Sequence, residues 1–319
     1  MVGGTLKQKL DQLVDLTIRI AKLEPWKYLS EYDLIEVFSQ NNEMVYYCSI
    51  LGYSELKYGI AVFEGLEGYA DFKTTFENPG PVPEDFLFGD IKCLVCFMYE
   101  EELDNDQTGL YCDELDSYIY YASMEKRFLP FALTEKEVDV LLEVYDLLYK
   151  TIYHYLINDE INPDFEIGQM LRIMNNKISV SKPIPVEKEY GQMFIDDEYK
   201  EELILLDRVE EEIYVDLMYT YMPVDEELSY GKLLNPLMFY IMDENFDILE
   251  LEFVPVEEEE VCFVFDIVMD YIEKNGIPKS IHCRNPYVRE ALKDSCEKLN
   301  IELTYDTFPD IQPDLKYMN

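Results

Sequence analysis

Histidine is nearly absent from this chain, since only His154 and His282 occur among its 319 residues. Catalytic centres of the Ser-His-Asp or Cys-His type need a histidine base beside the nucleophile. The chain also lacks a glycine-rich phosphate loop of the P-loop or dinucleotide type. These absences argue against a triad hydrolase and against an enzyme that holds a nucleotide through such a loop.

Cationic residues are scarce as well, with 26 Lys and Arg against 67 Asp and Glu and a formal charge of -41. Such a surface repels phosphate backbones and anionic bilayers, so direct binding of nucleic acid or of a membrane is not expected. The same charge permits a second interpretation, a polyanion mimic that binds a basic protein partner. With 48% hydrophobic and 14% aromatic residues, the chain is nevertheless globular in composition.

Long apolar runs are also missing, because no run approaches the ~20 residues that span a bilayer. The first residues alternate charge with aliphatics, unlike a signal peptide. Seven cysteines, an odd number, favour reduced thiols and a cytoplasmic protein. Cys93 and Cys96 form the only CxxC, and on a strand they point to opposite faces, which predicts two buried thiols. We expect no metal and no cofactor.

The length predicts two domains of roughly 150 residues each. A proline-containing stretch suggests a boundary near residue 185, which divides the chain into residues 1–185, including a linker, and 186–319. In the first domain the pattern predicts a helix over 5–23, antiparallel strands at 34–39, 43–52 and 58–65, a helix at 66–76, a loop at 76–86 and a strand at 90–99. Thr134 and Glu137 have capping-box spacing, which predicts a helix over 135–157.

The second domain begins with a predicted helix over 197–209, followed by a strand around Asp216. A hairpin that turns at 243–245 comes next, and the Glu-rich segment 257–260 starts a helix that ends at Gly276. Residues 279–307 then read as strand, helix and strand. The expected fold class is therefore α/β (α+β): two tandem domains, each with a mixed sheet, an antiparallel meander and flanking helices.

Several segments resemble an uncharacterised bacterial family in which two domains of unknown function occur in tandem. In the first half these are Trp26, the pair Asp33-Leu34, YYCSILG, YGIAVFEGLEG and YEEEL at 99–103. In the second half they are VDLMYTYMPV and GIPKSIHCRNPYVREAL. The resemblance covers most of the chain and implies no particular chemistry.

The order of elements in the C-terminal half also resembles the ribonuclease H and integrase core. Asp216 in IYVDLMYT matches by position the metal-binding Asp of the first strand in that fold. The fourth strand ends in Cys283-Arg284-Asn285 instead of a second Asp. Two-metal catalysis needs several carboxylates, and a cation at a ligand position repels the ions. A degenerate or active nuclease is therefore kept only as a second alternative.

Cations are concentrated near the C-terminus, where Arg284 ends a predicted strand and Arg289 lies one turn into the next helix. Asn285 and Pro286 suit the N-cap and first position of that helix. Helix N-termini bind anions, and ligands lie at the carboxyl ends of strands in α/β sheets. We therefore predict that Arg284, Asn285 and Arg289 bind a small anion; the alternative is that these cations neutralise nearby acidic surface.

The sequence as a whole favours a binding or regulatory protein without enzymatic activity, with an unidentified protein partner. The tyrosine-rich run at 111–121 either offers a contact surface or packs beneath a loop. The alternatives are the polyanion mimic and, last, the ribonuclease H-like nuclease. The oligomeric state stays open.

Overall fold

The computed structural model describes residues 5–53, 58–77, 80–101, 109–158, 160–182, 184–220 and 232–308. Two compact units divide the chain. Unit 1 comprises residues 1–77, 90–188 and 227–232, and unit 2 comprises residues 78–89, 189–226 and 233–319. Each unit contains a mixed sheet with helices, so the predicted fold class is confirmed.

Unit 1 is built on an eight-stranded sheet in the order β5-β6-β4-β3-β2-β1-β7-β8. Its strands are β1 Ile35–Phe38, β2 Val45–Leu51, β3 Tyr58–Glu64, β4 Cys93–Tyr99, β5 Leu110–Cys112, β6 Ser117–Met124, β7 Met170–Met174 and β8 Lys177–Ser181. Strands β1 to β3 form the predicted antiparallel meander, and β4 extends it in the same antiparallel manner. Strand β7 pairs with β1 in the parallel direction, and this pairing makes the sheet a mixed one.

Helices cover both faces of this sheet. Helices α1 (Leu6–Ala21) and α4 (Glu135–Ile157) share one apolar core with β1, β2 and β3, and α2 (Gly65–Phe76) packs on the opposite face. Cys96 belongs to the first core and Cys93 to the second. Both thiols are buried, as their spacing on a strand predicts, and burial raises the pKa of Cys96 to about 12.

Unit 2 has a five-stranded sheet in the order β11-β10-β9-β12-β13. Its strands are β9 Glu212–Tyr219, β10 Leu237–Met242, β11 Ile248–Phe253, β12 Ser280–Cys283 and β13 Glu302–Tyr305. Strands β9, β10 and β11 are antiparallel, whereas β12 runs parallel to β9 and β13 runs parallel to β12. The helices are α5 Asp197–Leu203, α6 Glu260–Asn275 and α7 Pro286–Leu299. The predicted sequence of three strands, helix, strand, helix and strand is present.

A short helix from the N-terminal half of the chain also belongs to unit 2. Helix α3 (Glu84–Gly89) inserts Phe86 against Tyr219 and Tyr287, with ring centroids 5.4 and 6.1 Å away. A Cβ atom on Gly89 would lie 2.4 Å from the Tyr219 ring, so only glycine permits this close approach. A single division at residue 185 assigns this segment to the first half, whereas its contacts assign it to the second unit.

Several sequence-based predictions need correction. The proline-rich segment 76–86 was expected to be a loop, but α3 begins at Glu84, because Phe86 and Leu87 bury their side chains in the unit 2 core. The helix predicted over 197–209 ends at Leu203. Strands β5, β6, β7 and β8 were not anticipated. In the described part of the chain, no helix is both long and apolar enough to cross a membrane.

Helix α4 begins with the predicted capping box. The Thr134 side chain accepts a hydrogen bond from the Glu137 amide, and the Glu137 carboxylate accepts one from the Thr134 amide at 2.7 Å. Helix α1 begins in the same way, with Thr5 and Gln8. These contacts satisfy amides at the helix start that have no partner within the helix.

We expect Thr134→Ala to lower the free energy of unfolding by about 1 kcal/mol, because the helix loses its N-cap acceptor. Thr134→Ser keeps the hydroxyl and should lie close to wild type. Trp26, the single tryptophan of the chain, lies in the same unit, so urea unfolding followed by its fluorescence reports on this change. Equal stability of the alanine and serine variants would contradict the role of the cap.

Candidate functional site

The centre of the unit 2 sheet holds a buried polar cluster around Asp216. Val215 pairs with Cys283 across the parallel strands β9 and β12, so the next residues, Asp216 and Arg284, lie side by side. The Arg284 Nε donates to Asp216 Oδ2 at 2.7 Å. Tyr240 on β10 pairs with Asp216 on the adjacent strand β9, and its hydroxyl donates to the same oxygen at 2.9 Å.

Aromatic and sulfur-containing side chains surround this cluster on the face of the sheet away from α6 and α7. Met238, Tyr240, Met242 and Phe308 form its small apolar core. The Arg284 guanidinium lies 4.8 Å from the centre of the Phe308 ring and donates from Nη1 to the Phe308 carbonyl oxygen at 3.1 Å. Asp216 is fully buried and Arg284 is 4% exposed. The cluster is thus closed to solvent.

Burial and ion pairing have opposite effects on the pKa of Asp216. Burial has the larger effect and raises the pKa of its carboxyl above the usual value, although the neighbouring Arg284 charge and the hydrogen bonds from Arg284 and Tyr240 act to lower it. Burial and the Asp216 charge both raise the pKa of Tyr240, so its hydroxyl keeps its proton. The arrangement is a neutralised ion pair with a hydrogen-bonded tyrosine.

Helix α7 starts directly after Arg284, as predicted. The Asn285 side chain accepts a hydrogen bond from the Tyr287 amide and Pro286 occupies the first position. Asn285 is fully buried, and its Nδ2 donates to the Leu217 carbonyl oxygen at 3.3 Å. The side-chain oxygen and nitrogen of Asn285 therefore both make structural hydrogen bonds, and these join the start of α7 to β9.

Arg289 lies on helix α7, which packs on the other face of the sheet. Its guanidinium lies 4.6 Å from the centre of the Tyr305 ring and donates from Nε to Glu290 Oε1 at 2.9 Å. Tyr305 pairs with Cys283, which belongs to the core beneath α6 and α7, so Arg284 faces the opposite side. An anion that contacts both guanidinium groups requires Arg284 to leave Asp216. The shared anion site at Arg284, Asn285 and Arg289 stays a prediction, and Arg289 is its one partly exposed residue.

The two histidines have separate surroundings. The His282 ring stacks on Tyr214 at 4.7 Å between centroids, and His282 Nε2 lies 3.3 Å from the Ser280 hydroxyl. His154 lies in the last turn of α4, where its Nδ1 is 3.5 Å from Asn158 Nδ2. The Glu212 carboxylate lies 3.8 Å from the same nitrogen, His282 Nε2, whereas a triad places the nucleophile and the carboxylate on opposite ring nitrogens.

Among the described residues of unit 2, no metal-binding group of carboxylates forms around Asp216. Within the described ranges, no group of three or more His, Cys, Asp or Glu side chains has the geometry to hold a metal ion. The position beside Asp216 is occupied by the Arg284 guanidinium, which supplies the positive charge that a metal ion provides in a two-metal centre. The sequence anticipated the cation at this strand end but not its contact with Asp216.

Comparisons with known proteins agree with the tandem arrangement. A family model described as Domain of unknown function (DUF7309) matches residues 11–172, about half of the chain. The chain belongs to this family. A second model, Domain of unknown function (DUF6930), matches residues 200–313. The predicted tandem of two such domains is confirmed.

No curated protein and no solved structure gives a significant match to this chain. The resemblance of the DUF6930 segment to ribonuclease H therefore rests on the order of its strands and helices. DUF7309 membership identifies the relatives of the N-terminal half without assigning it a reaction or a ligand.

We expect Asp216→Asn and Arg284→Met each to lower the free energy of unfolding by roughly 3–5 kcal/mol, because each leaves the other charge buried and unpaired. The double variant should lose less than the sum of the two, since it buries no charge. Urea unfolding followed by circular dichroism measures all three. Lys279→Met breaks the exposed ion pair with Glu212 and should cost less than about 1 kcal/mol. Additive losses in the double variant would contradict direct coupling.

Proposed function

We propose that the protein is a binding or regulatory module without catalytic chemistry that acts in the cytoplasm. The observation that carries this proposal is the closed ion pair of Asp216 with Arg284 at the centre of the DUF6930 segment. A cytoplasmic setting is supported by seven free cysteines, six of them buried.

The ion pair argues against phosphodiester hydrolysis in physical terms. A nuclease of the two-metal type needs carboxylates that are open to both the ions and the substrate. Asp216 is fully buried, and the Arg284 guanidinium lies against its carboxylate. Replacing that guanidinium by a metal ion requires breaking a buried ion pair, at a cost of several kcal/mol.

We therefore expect no cleavage of single- or double-stranded DNA or RNA by the purified protein in Mg²⁺ or Mn²⁺. Gel analysis of labelled substrates tests this expectation. Asp216→Asn and the exposed Asp270→Asn serve as matched variants in the same unit, both checked for folding by circular dichroism. Cleavage that is lost in the first variant and kept in the second would overturn the proposal.

The alternative function is a polyanion mimic, and an acidic face of helix α6 favours it. Asp266, Asp270 and Glu273 are all exposed and lie four and three residues apart, so they share one side of the helix. We call these three residues the α6 carboxylate stripe. The Tyr199 hydroxyl donates to Glu273 at 2.8 Å, and burial together with this carboxylate raises the pKa of Tyr199.

Like charges at these spacings destabilise a helix by roughly 0.2–0.5 kcal/mol per pair. The stripe spans about two turns, or ~10 Å of helix axis. A basic protein surface that contacts it would remove this repulsion and gain complementary charge pairs. Because exposed charges are screened, such binding falls steeply with salt.

We expect the mimic to capture basic proteins at low salt and to release them at ~1 M salt. Three substitutions remove the stripe: Asp266→Asn, Asp270→Asn and Glu273→Gln. Three others change the net charge equally on exposed positions of unit 1: Asp11→Asn, Asp15→Asn and Glu67→Gln. Pull-downs with both sets should lose the partners only with the first.

Two results would contradict the mimic. Partners that persist at ~1 M salt, or that are not basic proteins, exclude charge mimicry as the cause of binding. Equal loss with both triple variants would indicate a general effect of net charge, with no role for the α6 carboxylate stripe.

A further inference from the structure

Unit 1 contains an open cavity of about 420 Å³ beside the only tryptophan of the chain. Trp26 and Tyr58 line it together, with ring centroids 4.6 Å apart and planes tilted by 39°. Ala21, Met98 and Leu115 add further apolar atoms to the wall. The volume falls within the range of small-molecule sites, roughly 300–1,000 Å³.

Carboxylates dominate the charged part of this cavity. Glu24, Glu100 and Glu114 line it, and Lys22 is the one cation among its lining residues. Glu24 pairs with Lys27 at 2.7 Å, so Glu100 is the lining carboxylate outside the ion pairs with Lys22 and Lys27. Lys22 forms an ion pair with Glu114 in which both side chains are more than half exposed. Exposed pairs of this kind are weak, so an incoming cation competes with Lys22 at little cost.

The backbone holds Trp26 firmly in this position. Glu24 has a left-handed conformation with φ of 48°, and Pro25, which is buried, begins the short 3₁₀ turn that contains Trp26. Proline restricts its own φ, and the left-handed residue before it redirects the chain at the end of α1. Tyr58, whose ring contacts that of Trp26, is fixed in the sheet by its pairing with Met98.

We propose that this cavity binds an organic cation, an ammonium or guanidinium group carried on an apolar stem. Aromatic ring faces attract cations, carboxylates add charge complementarity, and the apolar wall accepts the stem. The proposal goes beyond the binding role proposed above and does not depend on the α6 carboxylate stripe, which lies in the other unit.

Trp26 gives a direct readout, because its fluorescence is the only tryptophan signal in the protein. We expect choline to change this emission saturably, and its uncharged isostere 3,3-dimethylbutan-1-ol to bind much more weakly at the same ionic strength. Tyr58→Leu should weaken choline binding by roughly 3- to 10-fold through loss of the ring face.

Two substitutions on the rim should act with opposite sign, which general damage to the fold cannot produce. Glu100→Gln removes an exposed carboxylate and should weaken choline binding by about 3-fold or more. Lys22→Met removes the competing cation, so binding should tighten by a similar factor. Lys73→Met makes the same change in net charge on α2, outside the cavity, and should leave the affinity unchanged.

The source of the cation is distinguished by a second probe, a Gly-Ser peptide with one central arginine. Tighter binding of the peptide supports a basic side chain of a protein partner, and tighter binding of choline supports a free small molecule. The proposal is overturned if neither probe binds, if the uncharged isostere binds equally, or if Glu100→Gln and Lys22→Met leave the affinity unchanged. The α6 carboxylate stripe is intact in all these variants, so such a failure leaves the mimic alternative untouched.

Discussion

Each of the two sheets contains a buried carboxylate that is neutralised by an arginine on, or directly after, the neighbouring parallel strand. In unit 1, Glu36 on β1 pairs with Arg172 on β7, directly opposite in the ladder. In unit 2, Asp216 on β9 pairs with Arg284, which follows β12. In both cases the acid lies on the first strand of the antiparallel meander, and the arginine comes from the strand that returns parallel to it.

Because the chain has few cations, the need to pair buried carboxylates constrains where its arginines and lysines lie. An unpaired buried carboxylate costs far more than an unpaired surface one, so a cation is most valuable where the acid has no water. Lys188 illustrates the same rule, because it lies 2.8 Å from Asp71 and 2.9 Å from the buried Asp90. Carboxylates on the surface stay in solvent, where their charge acts over distances of about a Debye length.

Local signals predicted much of the fold. The capped helix α4 was predicted with its observed bounds, because capping and apolar periodicity agree there. The β7–β8 hairpin was missed although its turn carries a usable signal: Asn175 and Asn176 have φ of 52° and 57°, as a two-residue hairpin turn requires. Helix α3 could not be predicted from local pattern, since its short amphipathic run becomes helical through packing of Phe86 in a distant core.

The sequence predicted residues of the candidate site but not the contacts between them. Asp216 and Arg284 were both singled out, yet placing them side by side requires the register of β9 against β12, which no local pattern specifies. A one-residue step along a strand reverses the face of a side chain. Cys283 lies beneath the helices, so Arg284 must face Tyr240 and Asp216. That parity pairs Arg284 with a buried acid, whereas Arg289 lies with Glu290 and Tyr305 on the opposite face.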